Sequence, residues 1–553
     1  MPCPSTLGSV RLWPVLAAAA LVLLAGCAGS PLRSYNKEMQ GAVALVRSGD
    51  VNGALAQLEA NNASSFSSGD ASGNPDGKDK TVLDSVTGKD ILYYFEKGEL
   101  LRLNSEYEQS RDAWLQADEI VRIWEDEYRV NPTKVIGEIG AYLVSDRVRR
   151  YDGHDYEKVF LSTKLMLDHV MLGNLEHARI EMKKTFEREK LIESFREEEY
   201  ARIQEEEKKQ NVSPTLGGLN EGGYPMDELN SPEVRALKNG YQNAFAHYLS
   251  GYFFELRGEN SLAAPGYRNA LALRPDSKLI RDKVDKVGRA RPGPGEADVL
   301  FVVESGFAPA WKSILIPLPV PVNKKRVVAP LSFPVIIADD SVFVPPSLNV
   351  GGKVLPVETL VNVDALARRQ LKDQLPGIMG RTVIRALVKS ALQYQAKRKG
   401  GSGTAADVLT TLMTVTSERA DERAWRTLPA RLAIARAILP AGEQAIEFRT
   451  GNGVYRGKIM IDSKLSIVPI RLADDFVYVG QRGAQGTTTP DPEEAEEEEE
   501  EAAAGEEEAG EEEEDKDKAR VRAVPARRAV TPPRRAVVPP RGGVLPRGFI
   551  RPR

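Results

Sequence analysis

The sequence predicts an α+β chain with three parts. These are an N-terminal all-α half of helical hairpins, a C-terminal antiparallel β sandwich or barrel with a helical insertion, and a disordered tail. Three observations carry this prediction. Residues 34–290 read as helix nearly throughout, with no strand-like alternation. After Arg291-Pro292-Gly293-Pro294 the texture changes to short apolar runs separated by turn residues. From Asp491 onward the chain is first nearly pure Glu, then Arg and Pro. The 553 residues carry a net charge of −4. The segment 491–553 holds 18 acidic and 12 basic residues, so the rest is near neutral and offers no global field for nucleic acid. Two cysteines and four histidines exclude a disulfide framework and speak against a multi-ligand metal site; no metal and no cofactor is expected.

The first 26 residues read as an export signal. Arg11 supplies a positive n-region, and Leu12 to Leu24 is an apolar run too short to span a bilayer comfortably. It ends in Leu24-Ala25-Gly26-Cys27, which resembles the lipobox of bacterial lipoproteins. That resemblance implies cleavage before Cys27, lipidation of its thiol and loss of Cys3, with residues 27–33 as a tether. Several acyl chains, at about 0.8 kcal/mol per buried methylene, make a stable anchor. Ala28 follows the cysteine where an Asp would signal inner-membrane retention, so the expected location is the periplasmic face of the outer membrane, with surface exposure left open.

Within 34–290 one pattern recurs. Its clearest copy is Gly251, Phe254, Gly258, Ala263, Tyr267, Ala270 and Pro275. Small residues let two antiparallel helices approach, Phe254 and Tyr267 fill the groove, Gly258 ends the first helix and Pro275 stops the second. Pro265 departs from the pattern inside the second helix. Gly98, Leu101, Tyr107, Ser110, Trp114 and Ala117 form another copy. Looser copies run through Gly173, Ala178 and Met182, and through Ala42, Gly49 and Ala54. This spacing resembles the tetratricopeptide repeat, which implies surfaces that bind peptides and proteins. The turn positions Gly49, Ser105, Gly173 and Gly258 lie 56, 68 and 85 residues apart, against about 34 in a regular array, so separated hairpins are expected. Flexible loops are expected near 62–80 and 211–232. Glu187 to Gln210 reads as a solvated helix laced with i,i+4 ion pairs.

In the segment 291–480, strands are expected at Val299–Val303, Ile314–Val322, Val327–Ile337, Val342–Val344, Arg431–Leu439, Ala445–Phe448, Val454–Ile461, Leu465–Ile470 and Phe476–Val479. Prolines at 317, 319, 321, 330 and 334 confine some of these to edges. A helical insertion is expected over 363–422. It places Arg381, Arg385, Lys389 and Lys397 on one stripe opposite an apolar face. Like charges four residues apart repel by roughly 0.2–0.5 kcal/mol per pair. The stripe is therefore a candidate docking surface for an anion: lipid headgroups, a partner protein or the acidic tail. Water and salt would balance it as well. Over 481–553 neither the acidic nor the basic Pro/Arg-rich block can bury enough apolar surface to fold.

Catalytic signatures fail on inspection. Gly453 and Gly457-Lys458 are one residue short of a P-loop, and Ile459 stands where a hydroxyl is needed. Gly401-Ser402-Gly403-Thr404-Ala405-Ala406 follows a basic helix rather than a strand. His154, His169, His177 and His247 match no ligand spacing, and no histidine follows 247.

The lipobox, the helical segment Tyr156 to Lys184 and the stretch Arg423-Ala424-Trp425-Arg426-Thr427-Leu428-Pro429-Ala430 together resemble an uncharacterised family of bacterial lipoproteins. Its members often accompany an outer-membrane lipoprotein activator of penicillin-binding proteins. The resemblance implies a setting in the cell envelope and no catalytic residue. The expected function is a non-enzymatic, lipid-anchored scaffold that binds an envelope protein partner through its hairpins, in envelope or peptidoglycan biogenesis. The alternatives are a cell-wall hydrolase with a carboxylate pair in the C-terminal half, and an envelope adhesin or spacer.

Overall fold

The computed structural model describes residues 34–66, 90–132, 151–209, 216–289, 291–322, 325–398, 420–462, 467–481 and 486–487. The signal segment with Cys27, the loop near 62–80 beyond residue 66, and the acidic and basic tail lie outside them.

Eight helices pair as four hairpins: α1 (Tyr35–Arg47) with α2 (Val51–Phe66), α3 (Ile91–Leu103) with α4 (Tyr107–Val130), α5 (Asp155–Met171) with α6 (Leu175–Lys209), and α10 (Ala244–Leu256) with α11 (Asn260–Leu273). Each turn is three residues long, and its middle residue has a left-handed backbone: Gly49 (φ 88°), Ser105 (59°), Gly173 (73°) and Gly258 (74°). These are the four positions the sequence marked. The closing bonds are the same each time. Asp50 N–H donates to Leu45 O at 2.8 Å, Glu106 to Leu101 at 3.0 Å, Asn174 to His169 at 2.7 Å and Glu259 to Phe254 at 2.8 Å, satisfying a carbonyl the helix end leaves open. Between paired helices the approach is close. A Cβ on Gly98 would lie 2.2 Å from the Trp114 indole nitrogen, and one on Gly266 would lie 2.7 Å from Gly251 N. Pro265 is accommodated inside α11 without ending it.

Between the third and fourth hairpins, α7 (Leu216–Glu221), α8 (Met226–Leu229) and α9 (Pro232–Ala236) replace the loop expected near 211–232. Leu219, Tyr224 and Leu229 are buried, and Tyr224 donates to Pro334 O at 2.7 Å. Apolar residues spaced by glycines had concealed a segment that folds down onto the C-terminal half. A twelfth helix, α12 (Lys278–Lys286), closes the N-terminal half.

The described strands form three sheets. A six-stranded sheet has the order β12 (Gly486–Thr487), β11 (Phe476–Val479), β10 (Ile467–Ala473), β1 (Glu296–Ser305), β7 (Arg431–Pro440), β6 (Glu358–Asn362). A four-stranded sheet has the order β5 (Lys353–Pro356), β4 (Ser347–Val350), β8 (Gly442–Thr450), β9 (Gly453–Ile461). The third is a ribbon of β2 (Ala310–Val322) and β3 (Lys325–Ile337). Pairing is antiparallel except between β1 and β10, which run parallel. Strand order runs edge to edge, so the described strands close no barrel. Val342–Val344 is not a strand, while β4, β5 and β6 were not foreseen. They are four or five residues long, too short to show a period. All five prolines of the ribbon fall in one alternate set of cross-strand pairs, among them Ser313 with Pro334 and Pro317 with Pro330. A residue without an N–H fits only where that group would point away from the partner strand.

The helical insertion is α13 (Val363–Arg398). Residues 420–422, expected at its end, instead open an irregular strap that runs to residue 430 and leads into β7. No core boundary falls at 290. One buried apolar cluster joins residues from α1–α5, α10 and α11 to Leu300, Val302, Leu432, Ile434 and Trp425. A second cluster, drawn from the other face of β1 (Val299, Phe301, Val303) and from β4, β8 and β9, lies between the two larger sheets. With both faces covered, the middle of β1, Val299 to Val303, is apolar without alternation.

Candidate functional site

Where the hairpins meet the sheet, charge is buried. On the helix-facing side of β1, Glu304 takes Nη1 of Arg102 from α3 at 2.8 Å and Nζ of Lys164 from α5 at 2.8 Å. Lys164 also donates to Glu99 at 3.0 Å, and Arg471 from β10 reaches within 3.6 Å of Glu99. Every one of these side chains is at most 3 % exposed. Burial opposes the Glu304 carboxylate, but Arg102, Lys164 and Arg471 outweigh it and bring its pKa down to about 2. Asp168 is different. Its nearest cation is Arg102 Nε at 3.7 Å, neither carboxyl oxygen has a hydrogen-bond donor among the described residues, and burial raises its pKa to about 7.

Beside this layer the strap crosses the hairpins. Trp425 is fully buried, stacked on Phe95 (4.5 Å between centroids) with its edge toward Trp114 (5.9 Å). Its irregular backbone donates to helix carboxylates. Trp425 N–H bonds Glu157 at 2.7 Å, while Arg426 and Thr427 N–H bond Glu96 at 2.7 and 2.9 Å. Glu96 also accepts from the hydroxyls of Thr427 and Tyr35, yet burial outweighs these bonds and raises its pKa to about 7. The hairpins thus hold an extended segment of the chain itself.

A cavity of about 180 Å³ opens beyond the strap, lined by Trp124, Tyr151, His154, Lys158, Phe195, Trp311, Gln374 and Arg381, with Asp152, Glu199 and Asp421 at its wall. His154 stacks on Trp311 at 4.1 Å. Its Nε2 lies 3.0 Å from Arg423 O and its Nδ1 lies 3.2 Å from the Gln370 amide nitrogen, an arrangement that suits a neutral ring protonated on Nε2. Arg196 is spoken for by Asp155 and Glu199, and Glu199 also takes Arg381 at 3.2 Å. Lys158 is 2 % exposed, with its ammonium 3.6 Å from the Trp124 ring centroid. A larger cavity of about 510 Å³ shares Arg196, Glu199, Gln374 and Arg381 and continues between α6 and α13.

The predicted repeat-packing residues take these places. Leu101, Trp114, Ala117, Ala178, Ala263, Tyr267 and Ala270 are buried, and Gly98 and Gly251 sit at the close helix approaches. Gly173 and Gly258 make turns. Tyr107 donates to Gly480 O, Phe254 is half-buried beneath Arg179, and Pro275 is exposed after α11. The cationic stripe requires correction. Arg381 has 13 % of its side chain exposed and pairs with Glu199, and Arg385 is buried, so neither belongs to an open docking face. The balancing anion is a helix 182 residues earlier, in the segment read as solvated. Its first half is instead an interface, where Arg188 bonds Asp118 at 2.9 Å and Glu125 at 2.6 Å. The side chains of Lys389 and Lys397 lie outside the described residues. The ionic layer and Lys158 were missed, although one signal pointed to the layer: single charges at 164, 168 and 304 interrupt largely apolar runs. Comparison with protein-family models, curated proteins and solved structures returns no match for this chain.

Proposed function

We propose that the protein is a lipid-anchored, periplasm-facing scaffold that binds a protein partner in envelope or peptidoglycan biogenesis, with the lipid on Cys27. The observation that supports this reading is the distribution of apolar surface on the hairpins. Their inner faces hold the strap and the sheet, whereas Leu115 on α4, Ile180 on α6 and Leu262 on α11, each on the second helix of its hairpin, are exposed at 37 %, 51 % and 41 %. A partner would meet these outer faces, since the inner ones are occupied. Anchoring rests on the lipobox; among the described residues no helix is long and apolar enough to cross a membrane. The hydrolase alternative gains nothing from the buried carboxylates. The two pushed furthest up, Glu96 and Asp168, sit in the helix–sheet interface rather than on a cavity wall.

The test is site-specific photocrosslinking in intact envelopes. A probe at Ile180 should capture a discrete envelope protein, and one at Val354, 66 % exposed on the outer sheet, should not. Capture from Val354 alone, or from neither position, would discard the hairpin-scaffold reading.

A further inference from the structure

Three donors around the 180 Å³ cavity lack acceptors. Lys158 is 2 % exposed and its ammonium has no hydrogen-bond or ion-pair partner among the described residues; it rests on Trp124. The Gln374 amide nitrogen and the Arg381 Nε are buried without an acceptor. A buried donor left unmade carries a penalty of about 1–3 kcal/mol, more when charged. A wall with two such groups beside an unpaired ammonium is therefore built for something rich in acceptors. Burial lowers the Lys158 pKa, and the nearby carboxylates of Asp155 and Asp152 offset this only in part.

The shape narrows the chemistry. Trp124, Tyr151, Phe195 and the stacked pair His154–Trp311 supply flat apolar walls. About 180 Å³ is of the order that holds a single aromatic ring. Charge narrows it again. Arg196 and Arg381 already face Glu199, and Asp421 pairs with Arg423, which leaves Lys158, without an ion pair among the described residues, to meet one negative charge. We infer that this cavity is a binding site for a small monocarboxylate with a flat apolar body, its carboxylate on Lys158 with the Gln374 amide beside it and its body between Trp124 and Trp311. The assignment is independent of the scaffold reading, since a hairpin scaffold could carry this site or lack it.

The probe is benzoate, titrated into the full mature chain with tryptophan fluorescence and calorimetry as readouts. Saturable binding is expected, with benzamide and benzylamine at least tenfold weaker because they lack the charge or reverse it. Lys158→Met should weaken benzoate roughly tenfold to a hundredfold, as expected for a hydrogen bond to a charged group. Gln374→Leu, on a half-buried position of α13, should weaken it severalfold and serves if the lysine variant fails to fold. Equal affinity for benzoate and benzamide, no binding of benzoate, or unchanged binding in the folded variants would overturn the assignment. Tighter binding of phenyl phosphate would replace the carboxylate by a dianion and overturn it too.

Discussion

The two faces of β1 meet their neighbours by different physics. Val299, Phe301 and Val303 enter an apolar core shared with the four-stranded sheet. On the opposite face Asp298, Leu300, Val302 and Glu304 meet the helices, and the two acids at the ends of that row each take an arginine, Arg436 at 2.5 Å and Arg102 at 2.8 Å. An apolar interface rewards contact in many alignments, whereas a buried ion pair is tolerable only in one. The helix-facing side therefore fixes how the hairpins dock, and it makes docking sensitive to pH in a way the sheet–sheet side is not.

The largest effects should come from cutting either interface. Glu304→Ala takes from buried Arg102 and Lys164 the closest partner of each and should cost about 3–5 kcal/mol; Phe301→Ala should cost a similar 3–5 kcal/mol through its cavity. Chemical denaturation across pH separates them. The Glu304 contribution is complete above its ordinary range near 4.5 and is lost as pH falls through about 2, so the deficit of the Glu304 variant should shrink in acid while that of Phe301→Ala stays constant.

Asp168→Asn should act in the opposite sense. Between its unfolded value near 3.8 and its folded value of about 7, the folded carboxyl holds a proton that the unfolded chain has released, so wild-type stability falls as pH rises through that window. Asparagine keeps the neutral form at every pH. The variant should match wild type near pH 4 and exceed it at pH 8 by roughly 2–4 kcal/mol, at about 1.4 kcal/mol per pKa unit. A variant less stable at pH 8 would show that the carboxylate is used ionised.

The smallest change is local. Ser105 occupies the left-handed turn position that glycine fills in the other three hairpins. Ser105→Gly should remove strain worth about 1–2 kcal/mol, less the added freedom of the unfolded chain, for a net gain of roughly 0.5–1 kcal/mol in thermal or denaturant unfolding.

The same contrast explains what could be read from the sequence. The hairpin turns and the proline ribbon were legible because each is a local pattern: a glycine at a helix end, an alternation of apolar residues and prolines. The ionic layer was not, because its partners lie 202, 140 and 65 residues apart and one sequence gives no means of matching a glutamate to a distant lysine. For the same reason Arg381 read as an open cation until α6 supplied Glu199. The two halves looked like separate domains because their periodicities differ, although period reports local geometry and says nothing of shared burial.

That shared burial can be measured directly. Trp114, Trp124, Trp311 and Trp425 are all buried on the helical side of the molecule or at its junction with the C-terminal half. Far-ultraviolet circular dichroism reports helix and sheet together. If the helical and β-containing halves are one cooperative body docked through the ionic layer, denaturant unfolding of the mature chain should give a single transition with the same midpoint by both signals. Two resolved transitions, with the tryptophan change completed while half of the circular dichroism signal remains, would contradict it.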